Sequence, residues 1–253
     1  YTFGNQLTSS IPSSLGNLNS LTLLYLGDNY LNSSMPDSLG DLTALQLLDF
    51  YDNYLSSSIP SSLVALSSVA YIDFGHNHLS STVPSWLSKL SSLNVLWINV
   101  NNFTSSIPDS LGNLTSLQKC GLSNNQLTGS IPSSFVRLSF LKNLNLHNNQ
   151  MNSTIPIWLS ELTSLRQLYL SGNHFTSTIP SSLGDLMELV DLSIYDNLLW
   201  GTIPSSFGPF IQLIDVSSKV NINGTIPTSF GNLTTLVHLS LSSTGIGEYL
   251  LLI

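Results

Sequence analysis

Charge is scarce in this sequence. Lysine and arginine number 6 against 14 aspartates and glutamates, charged residues make up 8% of 253, and the formal net charge is −8. A protein that neutralises phosphates needs clustered basic side chains, so a nucleic-acid footprint is absent. Cysteine occurs once, at Cys120, which excludes an internal disulfide framework and a cysteine-held metal cluster. Long apolar runs are missing as well: the tail Leu250 to Ile253 falls far short of the ~18–20 residues a membrane span needs. The sequence has no Gly-x-Ser-x-Gly and no His-Glu-x-x-His, and His76 and His78 stand too isolated to count as ligands. Catalytic, metal and cofactor sites are therefore not expected.

What the sequence does have is a period. An apolar residue precedes proline ten times, from Ile11-Pro12, Met35-Pro36 and Ile59-Pro60 to Ile203-Pro204 and Ile226-Pro227, at eight intervals of 24 residues and a last one of 23. A fixed period in this range means stacked coils, each unable to bury its apolar face alone. Residues 1–253 are expected to form a single domain of about ten coils. Tyr1-Thr-Phe looks like a partial coil, so the natural N-terminus, its targeting sequence and the caps are expected to lie outside the sequence.

In the coil Leu21 to Leu31, Leu24 and Leu26 alternate with polar or aromatic neighbours, which is strand periodicity with the leucines inward. Cys120 falls in the Leu24 column and reads as a buried, unreactive thiol. An asparagine column (Asn29, Asn53, Asn77, Asn101 and their equivalents) sits where each strand turns. A side-chain amide there both donates and accepts, so it can satisfy main-chain groups of a tight turn. The Ile-Pro unit is expected to form a second short extended stretch, and segments such as Leu111 to Leu114 a helical turn that closes the coil.

These residues resemble the plant-type leucine-rich repeats, with Gln118 to Leu141 matching closely through Leu122, Asn125, Leu127, Gly129, Ile131, Pro132 and Leu138. The resemblance implies an α/β solenoid, a right-handed superhelix with a parallel β-sheet on the concave face and short helical turns on the convex face. It also implies a non-enzymatic extracellular recognition module, similar to receptor-like kinase and receptor-like protein ectodomains and to polygalacturonase inhibitors, holding a protein, peptide or glycan on its concave or lateral face. The consensus glycine stands only at Gly129, Gly201 and Gly224, with serine at Ser9, Ser33, Ser57, Ser81, Ser105, Ser153 and Ser177.

Outward strand positions vary from coil to coil, and function is expected among them. Tyr25, Asp49, Tyr51, Tyr71, Asp73 and Trp97 set rigid rings beside carboxylates and form the expected ligand patch. Seven carboxylates (Asp28, Asp49, Asp52, Asp73, Asp191, Asp196, Asp215) fall in the outward columns against Lys119 and Lys219, so the inner face should be negative and favour a cationic partner. Asp49 and Asp73 occupy one column of adjacent coils, ~5 Å apart by strand spacing, a separation that also suits a hard cation or a retaining glycosidase pair.

Six sequons place glycan acceptors at Asn32, Asn102, Asn113, Asn152, Asn223 and Asn232 if the chain is secreted. Two further functions stay open. A hydroxyl precedes the apolar-Pro pair in all ten coils (Ser10, Ser34, Ser58, Thr82, Ser106, Ser130, Thr154, Thr178, Thr202, Thr225), and this ladder resembles the surfaces of ice-binding solenoids. Coils without caps could also stack head to tail into a filament.

Overall fold

The computed structural model describes residues 4–207, 213–216 and 221–241; Tyr1 to Phe3, Lys219 and the tail Leu250 to Ile253 lie outside the described residues. Ten three-residue strands, from Leu23–Tyr25 to His238–Ser240, pair in parallel into one sheet. Each residue lies beside its equivalent one period along: Leu24 by Leu48, Leu48 by Ile72, Ile72 by Leu96. Alternation turns the middle residue of each strand inward, and Leu48, Ile72, Leu96, Cys120, Leu144, Leu168 and Leu192 are fully buried. Burial pushes the Cys120 thiol up to about 12, so it stays protonated and inert, as the column predicts.

The asparagine ladder stitches neighbouring coils. Asn77 Oδ1 accepts from the Leu55 amide at 2.9 Å while its Nδ2 donates to the carbonyls of Phe50, Phe74 and Gly75 at 2.9 to 3.3 Å. Asn53, Asn101, Asn125, Asn149, Asn173 and Asn197 repeat this pattern, and all are buried. From Asn29 to Asn197 every amide in the column is consumed by the main chain, which gives it a structural role.

The second extended stretch differs from expectation. It lies before the Ile-Pro unit, not on it: Tyr30–Ser33, Tyr54–Ser57, His78–Thr82, Asn102–Ser106, Gln126–Gly129 and others form a seven-stranded parallel sheet, with a separate three-stranded sheet from Thr176–Ser177 onward. The five named strands end at or just past a left-handed residue (Ser33 φ 71, Ser57 φ 72, Ser81 φ 85, Ser105 φ 69, Gly129 φ 77), and the following proline has no N–H to continue a ladder. Pairing here steps by 22 residues, Asn32 beside Tyr54 and Ser56 beside His78, so this sheet runs oblique to the 24-residue columns.

The proline instead starts the closing turn. Pro36 at φ −73 precedes the 3-10 turn Asp37–Asp41, whose Leu39 amide donates back to the Pro36 carbonyl at 3.1 Å. Nine such five-residue turns occur among the described residues, so the expected convex helices are 3-10, too short to wind as α-helix. A Cβ on Gly112 would run into the Ser134 carbonyl of the next coil, so glycine lets adjacent turns touch. Where the equivalent residue is Val64 or Val136, the next coil answers with Trp86 or Trp158 in the serine position.

Candidate binding site on the concave face

The outward residues of the first coils enclose a cavity of about 560 Å³, lined by Tyr25, Gly27, Asp28, Asp49, Tyr51 and Asp73 together with Asn5, Leu7, Leu23, Leu26 and Asn29. Four of the six patch residues thus meet in one place. Gly27 and Gly75 flank Tyr51 in its column, so its ring stands clear between two positions without side chains and tilts against His76, with centroids 5.0 Å apart. Tyr25 is 45% exposed at the rim.

Tyr71 and Trp97 do not line the cavity. Tyr71 reaches it indirectly, its hydroxyl donating to Asp73 Oδ2 at 3.2 Å. Trp97 lies across Gly121 of the next strand, where a Cβ would occupy the indole's place, so this ring is seated on the sheet by a neighbour that lacks a side chain.

Asp49 and Asp73 are direct neighbours on paired strands, as the period predicts. Each turns Oδ1 onto an amide two residues along its own chain: Tyr51 N for Asp49 and Gly75 N for Asp73, both at 2.9 Å. Burial is the main influence on Asp73 and raises its carboxyl to about 6; the Gly75 amide opposes this, the Asp49 charge adds to it, and the Tyr71 hydroxyl opposes it. Asp49 is raised by burial, against the Tyr51 amide and with the Asp28 charge. Tyr71 is held well above the usual phenol range by burial and then by the charges of Asp73 and Asp49. Asp28 and Asp52, placed in strand columns by the sequence pattern, lie instead in left-handed turns just past the strand at φ 54 and 51; Asp28 lines the cavity and Asp52 does not. Among the described residues no group of three or more His, Cys, Asp or Glu could hold a metal ion.

Two further features lie away from this cavity. Tyr30 and Tyr54 stack on the flank with centroids 6.0 Å apart, and His78 continues the row at 5.8 Å from Tyr54. All ten hydroxyls before the apolar-Pro pairs are exposed, as are the six sequon asparagines. A concave cluster around His147, Tyr169 and Tyr195 was not anticipated, although the same two columns that hold Asp49 and Tyr51 carry Tyr169 and His147 four or five periods later.

Family models described as leucine-rich repeat region and leucine rich repeat match residues 4–119 and 118–175. Comparison with curated proteins finds no match. Among solved structures, the ectodomain of the Arabidopsis receptor kinase HAESA, in complex with an extended IDA peptide hormone, is 32% identical over 94% of this chain and 40% of its own, with a TM-score of 0.89. The ectodomain of the Arabidopsis thaliana receptor kinase GASSHO1/SCHENGEN3, in complex with CASPARIAN STRIP INTEGRITY FACTOR 2, is 32% identical over 96% of this chain and 32% of its own, at 0.80. A plant ice-binding protein is 27% identical over 96% of this chain and 80% of its own, at 0.79. The chain therefore spans less than half the length of these two receptor ectodomains.

Proposed function

The chain belongs to the leucine-rich-repeat family in its plant-type form, and on that premise we propose that it is a non-enzymatic extracellular recognition module whose concave cavity holds a cationic segment of a peptide or protein. The observation that carries this reading is the cavity itself: two tyrosines wall a space edged by Asp28, Asp49 and Asp73. Rigid rings bury area at low entropic cost, and partly desolvated carboxylates attract a guanidinium or ammonium group more strongly than solvated ones do. The peptide complexes formed by HAESA and GASSHO1/SCHENGEN3 support a peptide-sized partner. No helix among the described residues is long and apolar enough to cross a membrane. Export would make the six exposed sequon asparagines glycan acceptors, which mass spectrometry of protein from a secretory host would read directly.

Immobilised protein should capture arginine-bearing peptides, and Tyr51→Ala should lose that capture at unchanged melting temperature. Equal capture by both proteins rejects the cavity as the site.

A second reading rests on the flank, where the exposed hydroxyl ladder repeats coil after coil and a plant ice-binding protein shares the fold. On this reading the hydroxyls order water and the protein slows ice recrystallisation. Glycans at Asn32, Asn152 or Asn223 would cover that face, so the assay uses unglycosylated protein. Thr154→Tyr with Thr178→Tyr should abolish the effect, and wild-type protein without activity removes the reading.

A further inference from the structure

A second cavity, of about 230 Å³, opens on the concave sheet further along the solenoid, walled by Asn145, His147, Tyr169, Ser171, Ser193 and Tyr195. It shares no residue with the acidic cavity. Its hydrogen bonds form two relays. The Ser193 hydroxyl donates to Ser171 Oγ at 3.1 Å, and Ser171 Oγ lies 2.6 Å from His147 Nδ1, a hydrogen bond whose direction follows the imidazole tautomer. Beside them, the Gln167 amide and the Tyr169 hydroxyl both donate to Asp191 Oδ2, at 2.8 and 3.0 Å, so that carboxylate is engaged by two donors, and Asp215 lies beside Ser193 on the paired strand. Burial holds His147 below its usual value, with the Ser171 main chain opposing, and the ring is mainly neutral at pH 7.

The lining is therefore uncharged. It carries no lysine or arginine to meet an anion and no carboxylate to meet a cation. It offers the Asn145 amide and the Tyr195 hydroxyl, which donate and accept, next to the rings of His147 and Tyr195, whose centroids are 5.9 Å apart at a tilt of 56°. The space is also smaller than the ~300–1,000 Å³ of a drug-sized site. A pyranose has these complementary features: hydroxyls around its edge that both donate and accept, an apolar C–H face that packs on aromatic rings, and no charge.

We propose that this cavity binds one neutral pyranose unit, with Tyr195 and His147 against its C–H face and the Asn145 amide and Tyr195 hydroxyl on its hydroxyls. The site is separate from the peptide cavity, and it stands or falls without it.

The test is saturation-transfer NMR with D-glucose, D-galactose and N-acetyl-D-glucosamine, each also as its methyl glycoside, and with D-glucuronate as the charged control. At least one neutral sugar should receive saturation and shift the His147 ring protons, with the glucuronate signal at least five-fold weaker. Tighter binding of the glycoside than of the free sugar would assign the end unit of a chain; the reverse would assign a free saccharide. Tyr195→Ala and His147→Ala should each weaken binding at least ten-fold, and Tyr51→Ala should leave it unchanged. Tyr195→Phe, which keeps the ring and the fold, should retain most of it. Absence of transfer from all six neutral probes, or transfer undiminished in a folded Tyr195→Ala, overturns the proposal.

Discussion

Tyr71 donates its hydroxyl to Asp73 Oδ2 at 3.2 Å, inside a wall where Asp73 is only 9% exposed and lies beside Asp49 on the paired strand. A carboxyl raised from 3.8 to about 6 binds its proton more tightly in the folded chain than in the unfolded one. The folded state then holds more protons between those two values, so stability falls as pH rises from about 4 to about 6 and is level above. Asp73→Asn should remove that slope and stabilise the protein at pH 7 by about 1–2 kcal/mol, less than the roughly 3 kcal/mol that the full rise implies, because water reaches the cavity. Denaturant melts of both proteins at pH 4 and pH 7 check it, and parallel pH dependence would refute it. Capture of a cationic peptide should run the other way, strengthening as Asp73 ionises.

Asn77 should be among the costliest single positions in the chain. Its truncation to alanine strands the Leu55 amide and deprives the Phe50, Phe74 and Gly75 carbonyls of a donor in a buried seam. A loss of about 2–4 kcal/mol is expected from unpaired groups of this kind. Asn77→Asp should be nearly as harmful, because a carboxylate keeps the acceptor and loses the donor. Equilibrium unfolding in urea measures both.

Serine replaces the consensus glycine in a left-handed backbone at Ser33, Ser57 and Ser105, with φ between 69 and 72. An L-residue there costs about 1–2 kcal/mol, part of which glycine gives back as backbone entropy. Ser57→Gly should therefore be neutral to stabilising by about 1 kcal/mol, and Gly129→Ala should destabilise by a similar amount. Gly112→Ala should cost more, about 2 kcal/mol, because its Cβ meets the Ser134 main chain and cannot be relieved by rotating a side chain. Melting temperatures of the three variants should rank in that order.

The period made most of the fold legible. Residues 24 apart pair in the concave sheet, so the fully buried column from Leu48 to Leu192 and the buried asparagines follow from counting alone. The second sheet did not follow, because its register steps by 22 and its strands stop at left-handed serines whose conformation no composition rule announces. The site was half legible. Tyr25, Asp49, Tyr51 and Asp73 converge because neighbouring coils superpose their columns, whereas the reach of a ring along the sheet depends on what stands in the next strand. Counting columns placed Trp97 beside Asp73, but its ring turned the other way, onto Gly121.

That placement separates two aromatic residues the sequence pattern treats alike. Tyr51 stands in the cavity wall between Gly27 and Gly75, while Trp97 covers the main chain of Gly121 outside the cavity. Truncating a wall ring at the centre of a binding site costs about 2 kcal/mol of affinity, near thirty-fold, with little change in folding. Truncating a ring packed on its own sheet removes buried apolar area and lowers stability instead. Tyr51→Ala should thus abolish peptide capture at constant melting temperature, and Trp97→Ala should lower the melting temperature while capture survives. Gly121→Ala should act on Trp97 from the opposite side, lifting the indole off the sheet and shifting its fluorescence to the red, with capture again intact. Loss of capture in Trp97→Ala at full stability would move the binding surface along the sheet and away from the acidic cavity.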